Sequence, residues 1–367
     1  MERLLAFGRA TGFPSNVGNA TASAQVDFSL AGTWANPVPA KLHGTAHLQN
    51  LATWIPGIKD RLLLSEAEAQ ITDAALTLSH VTGQFEHSPI AFTGSVSGPL
   101  TCAGESTCPL EFDLHLDNLA VGDLAGILGF SDKGWNLPFI SGSENKLPDF
   151  RAAGTLAVGE LKVADMPLEK FAARVEVGDH TLTLNKIAAK VGGGSTQGEW
   201  KVDWSGSQPR FIGTGSLDGV AFDRVGPLDT AAGQVAQWIS GRGQISYNVR
   251  FEGKSPADML SSTAGRIEFQ VSNGNSRIMA LESGRPLRFQ AAQGALEIDK
   301  QSLKILPSKF KAENRIYIAT GNISLANKQA KVKVTAGGTQ WEITGALEKP
   351  QITPQPMTAQ AAPARTK

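Results

Sequence analysis

Apolar and polar residues alternate with a period of two through much of the chain. The pattern is clearest in Val26-Asp27-Phe28-Ser29-Leu30, Leu76-Thr77-Leu78, Phe112 to Leu116, Leu182-Thr183-Leu184, Ile316-Tyr317-Ile318 and Val332-Lys333-Val334. Successive side chains of a strand point to opposite sides, so each run predicts a strand with one apolar and one polar side. Ser97-Gly98-Pro99, Gly192-Gly193-Gly194, Asn273-Gly274-Asn275 and Gly337-Gly338 separate the runs. They supply the positive or fixed φ that chain reversals need, which predicts a meander. Helical patterns are short: Leu4 to Thr11, Asp123 to Phe130, part of Asp223 to Ile239, and Pro256 to Ser262. The last has Ser255 as N-cap, Pro256 at the first helical position and Asp258 completing a capping box. The expected fold class is all-β and mostly antiparallel, an elongated, twisted or curled meander with a few short helices.

A weak repeat runs through the pattern. Leu48-Gln49-Asn50-Leu51-Ala52, Leu116-Asp117-Asn118-Leu119-Ala120 and Leu217-Asp218-Gly219-Val220-Ala221 share one form, and each is expected at the end of a strand. A short, partly apolar segment follows each copy (Trp54 to Ile58, Leu124 to Phe130, Val225 to Val235). Their irregular spacing disfavours a solenoid of fixed period. The expected organisation is an N-terminal helix or edge over 1–14, a β-rich segment over 15–132, a connecting loop over 133–149, a second β-rich region over 150–349 and a disordered tail over 350–367. Trp135 and Phe139 in the connection are expected to pack on a sheet edge.

Composition narrows the function classes. With 41% hydrophobic and 19% charged residues in 367, the chain can bury a large apolar surface. Its 34 basic and 34 acidic residues cancel and are interspersed along the sequence, which argues against a nucleic-acid partner. The 39 Gly and the excess of 16 Phe over 2 Tyr suit turns and buried or lipid-wetted faces.

Cys102 and Cys108 bracket a short loop, Ala-Gly-Glu-Ser-Thr, between strand-like runs. A disulfide fits this spacing; a metal pair is the alternative and needs two further ligands from elsewhere in the fold. Closing so short a loop stabilises by only about 2 kcal/mol, so the pair speaks for an oxidising compartment, periplasmic or extracellular, more than for stability. No export signal or membrane span is legible, since Met1 to Phe7 is too short an apolar run. These two readings are reconciled if an N-terminal part precedes this chain.

Candidate chemistry is sparse. His43, His47, His80, His87, His115 and His180 form no helical pair beside a Glu. His43 and His47, four apart in a strand-like run, would stand roughly 13 Å from each other, too far to share a metal, and are read as solvated strand positions. There is no G-x-S-x-G elbow, and Gly192-Gly193-Gly194-Ser195 lacks the Lys-Ser or Lys-Thr of a phosphate loop. Gly241-Arg242-Gly243 reads as a turn. No cofactor is implied, and the expected protein is not an enzyme.

Gly154-Thr155-Leu156-Ala157-Val158-Gly159-Glu160-Leu161-Lys162-Val163, then Met166-Pro167-Leu168 and Ala173-Arg174-Val175-Glu176-Val177, resemble the C-terminal region of the AsmA family. The resemblance continues through Leu182-Thr183-Leu184, Ala188 to Gly194, Gly198, Leu217-Asp218-Gly219-Val220, Gly241-Arg242-Gly243 and Gly265 to Phe269 to Asn273-Gly274, covering roughly 150 to 350. It implies a periplasmic β-rich body, anchored in the inner membrane by an N-terminal helix outside this chain. It further implies a part in outer-membrane biogenesis and a kinship with bridge-like lipid transporters, whose curled sheet presents an apolar trough to phospholipid acyl chains. Alternation without covering helices is compatible with that, with Leu182, Leu184, Ile187 and Val191 as candidate lining. The competing readings are a β-sandwich scaffold or adhesin-like module that buries the same residues, and a carbohydrate-active β protein with paired carboxylates in a cleft.

Overall fold

The computed structural model describes residues 21–31, 41–54, 61–85, 88–97, 109–120, 130–131, 134–135, 151–163, 166–224, 238–281 and 285–356. The N-terminal segment to Thr11, His87, the cysteine pair Cys102 and Cys108, Phe139 and most of the segments after the three repeat copies (55–58, 124–129 and 225–235) lie outside them, as do 357–367.

Alternation delivers strands almost everywhere. The first group is β1 (Thr21–Ala31), β2 (Lys41–Trp54), β3 (Arg61–Ile71), β4 (Ala75–Phe85), β5 (Ser88–Ser97) and β6 (Pro109–Ala120). A two-stranded ribbon follows, β7 (Phe130–Ser131) and β8 (Gly134–Trp135). The chain continues as β9 (Arg151–Val163), β10 (Met166–Gly178), β11 (Thr181–Val191), β12 (Gly194–Asp203), β13 (Arg210–Ala221) and β14 (Ile239–Glu252). After helix α1 (Pro256–Ser262) come β15 (Ala264–Ser276), β16 (Leu287–Asp299), β17 (Ser302–Ala312), β18 (Arg315–Ser324), β19 (Gln329–Ala336), β20 (Thr339–Ala346) and β21 (Gln351–Pro356). Nineteen strands join in one sheet, a meander of antiparallel neighbours with one parallel pairing, β6 with β9, from Pro109 opposite Arg151 to Ala120 opposite Lys162. Parallel neighbours need a long crossover, and the segment between β6 and β9 supplies it.

The capping box forms as its residue types require. The Asp258 N–H donates to Ser255 Oγ at 3.1 Å, and the Ser255 N–H donates to Asp258 Oδ2 at 3.2 Å. Gly337 and Gly338, at φ of 55° and 82°, make the tight β19–β20 reversal.

Four readings are corrected. Asn273-Gly274-Asn275 and Gly241-Arg242-Gly243 are not chain reversals but lie inside β15 and β14. The positive φ they supply goes into β-bulges instead: Asn273 stands at 50°, and the β14–β15 register slips between Ser240 and Arg242. The tail expected to be disordered from 350 first adds β21, because Ile352 pairs with Ile343 along the free side of β20. Pro354 and Pro356 are tolerated in that edge strand, where a missing N–H breaks no inner ladder. In β18 the side expected to be apolar is reversed: Tyr317 is 6% exposed, whereas Ile316 is 57% exposed.

Positive φ recurs in two of the three copies of the repeat. The third residue of two copies, Asn50 and Gly219, has φ of 53° and 66°. Asn118 of the remaining copy donates its N–H to Ser88 Oγ at 2.9 Å. Further positive-φ residues, His80, Lys170 and Lys186, sit at register slips in β4, β10 and β11. One extra residue switches the parity of a strand, so Leu182 and Leu184 before Lys186 share a side with Ile187 and Ala189 after it.

The chain divides into two compact units: Met1–Lys190 with Gln197–Gly213 and Glu252–Met259, and Val191–Thr196 with Thr214–Phe251 and Leu260–Lys367. In unit 2 the apolar side is buried over β18–β20, while Ile245, Val249, Ile267 and Leu296 on β14–β16 stay partly exposed. Val334 and Ile343 are fully buried, Phe289 and Phe310 meet edge to face at 5.5 Å, and Trp341 stacks at a tilt on Tyr317. Trp238, just before β14, donates its indole N–H to Leu347 O, just after β20, at 3.1 Å. Six strand spacings separate β14 from β20, roughly 29 Å in a flat sheet, so this part of the sheet bends until its apolar side meets itself.

Two outcomes follow from this architecture. Lys186→Gly should keep or raise stability in chemical denaturation, while Lys186→Val, β-branched at a positive φ, should lower it by roughly 1–2 kcal/mol; full tolerance of Val would mean that no bulge exists there. Ile343→Ala should cost roughly 2–5 kcal/mol, and Leu182→Ala, on the partly exposed inner side of unit 1, markedly less. Equal losses would mean that both sides are equally closed.

Candidate functional site

The inner side of unit 1 differs from the dry core around Val334 and Ile343 in unit 2. Cross-strand partners point to the same side, so the registers can be followed from strand to strand. One row runs Val26, Ala46, Ala69, Leu78, Gly94, Phe112, Gly154, Val175 and Leu184. The adjacent row runs Gly44, Ile71, Leu76, Val96, Leu110, Ala152, Val177 and Leu182, with the β1 backbone at Phe28 in register opposite Gly44. Neither row contains a polar side chain. The first crosses nine strands, a span of roughly 38 Å at about 4.8 Å per strand.

Most of these side chains retain water contact. Leu76, Leu78, Val96, Leu110, Phe112, Val177, Leu182 and Leu184 are all partly exposed, and Val26 on the edge strand is 37% exposed. Toward the other end of the same strands the side closes. Phe85, Leu116, Val158, Leu161 and Phe171 form a buried cluster, with Ile90, Leu114, Leu156 and Ile187 packed against it. The inner side is thus apolar along its length, with its side chains buried in the Phe85–Phe171 cluster and partly exposed at the Leu76–Leu182 end. Glycine makes room at one row: a Cβ at Gly154 would lie 2.6 Å from Phe112 Cγ, so the Phe112 ring lies across Gly154 because nothing projects there.

The four candidate lining residues divide. Leu182, Leu184 and Ile187 share the inner side of β11 and are partly exposed. Val191 belongs to unit 2 and is 3% exposed, so it is core and not lining. Leu76 and Leu78 on β4, Val96 on β5, and Leu110 and Phe112 on β6 are further partly exposed members of the rows, and the alternation at Leu76-Thr77-Leu78 and Phe112 to Leu116 was the sequence signal for those on β4 and β6.

The outer side is polar. Arg174 pairs with Glu176 at 3.1 Å and Arg210 with Glu252 at 2.7 Å, all half-exposed. Such surface pairs contribute little to stability and keep this side in water. His43 is exposed on β2, as read from sequence, and His47 is also exposed. His47, however, meets Glu68 across the β2–β3 pair at 3.7 Å, and His80 reaches the same carboxylate from its bulge at 3.2 Å. Linear spacing gave no sign of that trio. His115 lies 3.6 Å from Asp117, and His180 shares a tight reversal with Asp179, at φ of 59° and 49°. Among the described residues, no three of His, Cys, Asp and Glu converge to hold a metal ion.

Asp203 accepts hydrogen bonds from the Ser205 hydroxyl at 2.7 Å and the Ser205 N–H at 3.0 Å, which hold its carboxyl below the usual carboxylate range. These bonds close the turn after β12. Gly192 and Gly193, at φ of 55° and 78°, form the β11–β12 reversal, as read from sequence. Arg242 donates to Gly193 O at 3.4 Å and to Gly219 O at 3.3 Å, tying that reversal to the Gly219 bulge.

No described helix is long and apolar enough to cross a membrane. Compared with family models, with curated proteins and with solved structures, the chain finds no match in any of the three.

Proposed function

We propose that this protein is a non-enzymatic lipid-handling protein of the bacterial envelope, of AsmA type, which holds or conducts phospholipid along the inner side of unit 1 in support of outer-membrane biogenesis. The reading includes a periplasmic address and an inner-membrane anchor. The observation that carries it is the pair of uninterrupted apolar rows, the longer across nine strands, still partly exposed to solvent at Leu76, Leu78, Leu110 and Leu182. Water against such a side costs about 25 cal/mol per Å², and an acyl chain removes that cost without needing any directional partner. One leaflet of a bilayer's hydrocarbon core is roughly 15 Å deep. A row of roughly 38 Å is longer than one chain needs, which suits passage along the sheet as well as storage. The resemblance of residues 150 to 350 to the AsmA family points the same way and supplies the envelope setting.

The second reading is a rigid scaffold without cargo, and the dry interior around Val334 and Ile343 favours it for unit 2. The two readings separate in native mass spectrometry, with lipid extraction, of the chain secreted into a bacterial periplasm. The lipid reading predicts co-purified phospholipid, at least tenfold less of it in Leu78→Asp/Leu184→Asp, and an unchanged β-sheet circular dichroism spectrum in that variant. A folded wild-type protein free of lipid would leave the scaffold.

A further inference from the structure

The outer side of β17, β18 and β19 departs from the mixed charge of the whole chain. Between residues 300 and 335 eight Lys or Arg stand against one acidic residue, Glu313, although the chain as a whole is neutral. Balanced composition therefore hides a local basic field.

Register and exposure define a patch within it. Lys309 and Lys311 on β17 lie directly opposite Ile318 and Ile316 on β18. On the other flank Thr335 faces Ile318 and Lys333 faces Thr320, one pleat along. Because Tyr317 turns inward to Trp341, its two neighbours are forced outward, leaving Ile316 57% and Ile318 37% exposed. Lys309, Lys311 and Lys333 are exposed and make no ion pair among the described residues. Their neighbours on β16, Ala291 opposite Lys311 and Gln293 opposite Lys309, are uncharged. Of the nearby acids, Glu342 stands opposite Lys333 and is engaged by Gln355 at 3.0 Å and by Lys331 at 3.8 Å, and Glu313 follows Lys311 by two residues in the β17–β18 reversal.

Two aliphatic side chains held out in water between unpaired lysines are complementary to one kind of surface. Lysines meet the phosphates of anionic headgroups, and aliphatic tips enter the boundary between headgroups and acyl chains. A nucleic acid would use the lysines but has no use for the isoleucines, and the outer side of these three strands offers no aromatic ring to stack a base on. We infer that the outer side of β17–β19, through Lys309, Lys311, Lys333, Ile316 and Ile318, docks unit 2 on an anionic bilayer surface. The inference is independent of the apolar rows in unit 1.

The test is sedimentation of the full chain with vesicles of equal parts phosphatidylglycerol and phosphatidylcholine, against vesicles of phosphatidylcholine alone, at low and high salt. Binding is expected only to the anionic vesicles, and salt should weaken it by shortening the Debye length. Lys309→Gln/Lys311→Gln/Lys333→Gln should lower the partition coefficient roughly a hundredfold, and Ile316→Ser/Ile318→Ser, both on exposed sites, roughly tenfold. Lys190→Gln/Lys201→Gln/Lys254→Gln, the same charge change on other exposed lysines, should bind as wild type does. So should Leu78→Asp/Leu184→Asp, which separates docking from occupancy of those rows. The inference is overturned if wild type ignores anionic vesicles at low salt or if the control lysine variant loses as much binding. It also fails if Ile316→Ser/Ile318→Ser binds vesicles undiminished, or if duplex DNA is bound as tightly as the vesicles.

Discussion

An apolar sheet side has to be covered, and everything else in this molecule depends on how that demand is met. Strands of period two expose one apolar side each, and among the described residues the one α-helix is the seven-residue α1. Such a side can be covered by the sheet bending on itself, by another layer, or by something that is not this chain. Unit 2 takes the first route. Its strands bend until β14 and β20 are joined by the Trp238 to Leu347 hydrogen bond, and Ile323, Val334 and Ile343 lose all contact with water. Unit 1 goes only part of the way, closing around Phe85, Leu116, Val158 and Phe171 while Leu76, Leu78, Phe112 and Leu182 stay partly wet.

Bulges let the sheet follow this course without losing its sidedness. A strand that bends must take up extra residues, and each extra residue would throw the rest of the strand onto the wrong side. Here the parity of the sequence changes at the same positions. Leu182 and Leu184 are even-numbered, Ile187 and Ala189 are odd-numbered, and Lys186 at positive φ stands between them. Asn273 and the Leu306-Pro307 step in β17 do the same in unit 2, where Ser308, 1% exposed, returns its hydroxyl hydrogen bond to Leu306 O at 2.8 Å. Bending and amphipathicity, which compete in a regular strand, are thereby reconciled.

This also sets what could be read from the chain. Strand positions, the α1 capping box and the tight glycine reversals are local and were legible, because φ preference and period are properties of a few residues. Asn273-Gly274 and Gly241-Arg242-Gly243 misled for a physical reason: positive φ serves a reversal and a bulge equally, and only the neighbouring strand decides which. Ile316-Tyr317-Ile318 misled because alternation fixes two sides but not which one faces the core, and a large aromatic won that place. The candidate lining was half legible. Leu182 and Leu184 lie at the partly exposed end, but Ile187 packs against the Phe85–Phe171 cluster and Val191 belongs to a closed core, and the rows through Leu78, Phe112 and Leu110 appear only once registers are known.

The claim that the inner side of unit 1 is open to an apolar guest while that of β18–β20 in unit 2 is not is tested most directly by photo-crosslinking. A phospholipid carrying a diazirine in its acyl chain would be activated on the folded protein and the labelled residues mapped by peptide mass spectrometry. The account predicts label on the peptides of β4, β5, β6 and β11 that contain Leu78, Val96, Phe112 and Leu184, and none on those of β19 and β20 that contain Val334 and Ile343. Label spread evenly over both sets, or confined to the second, would contradict it.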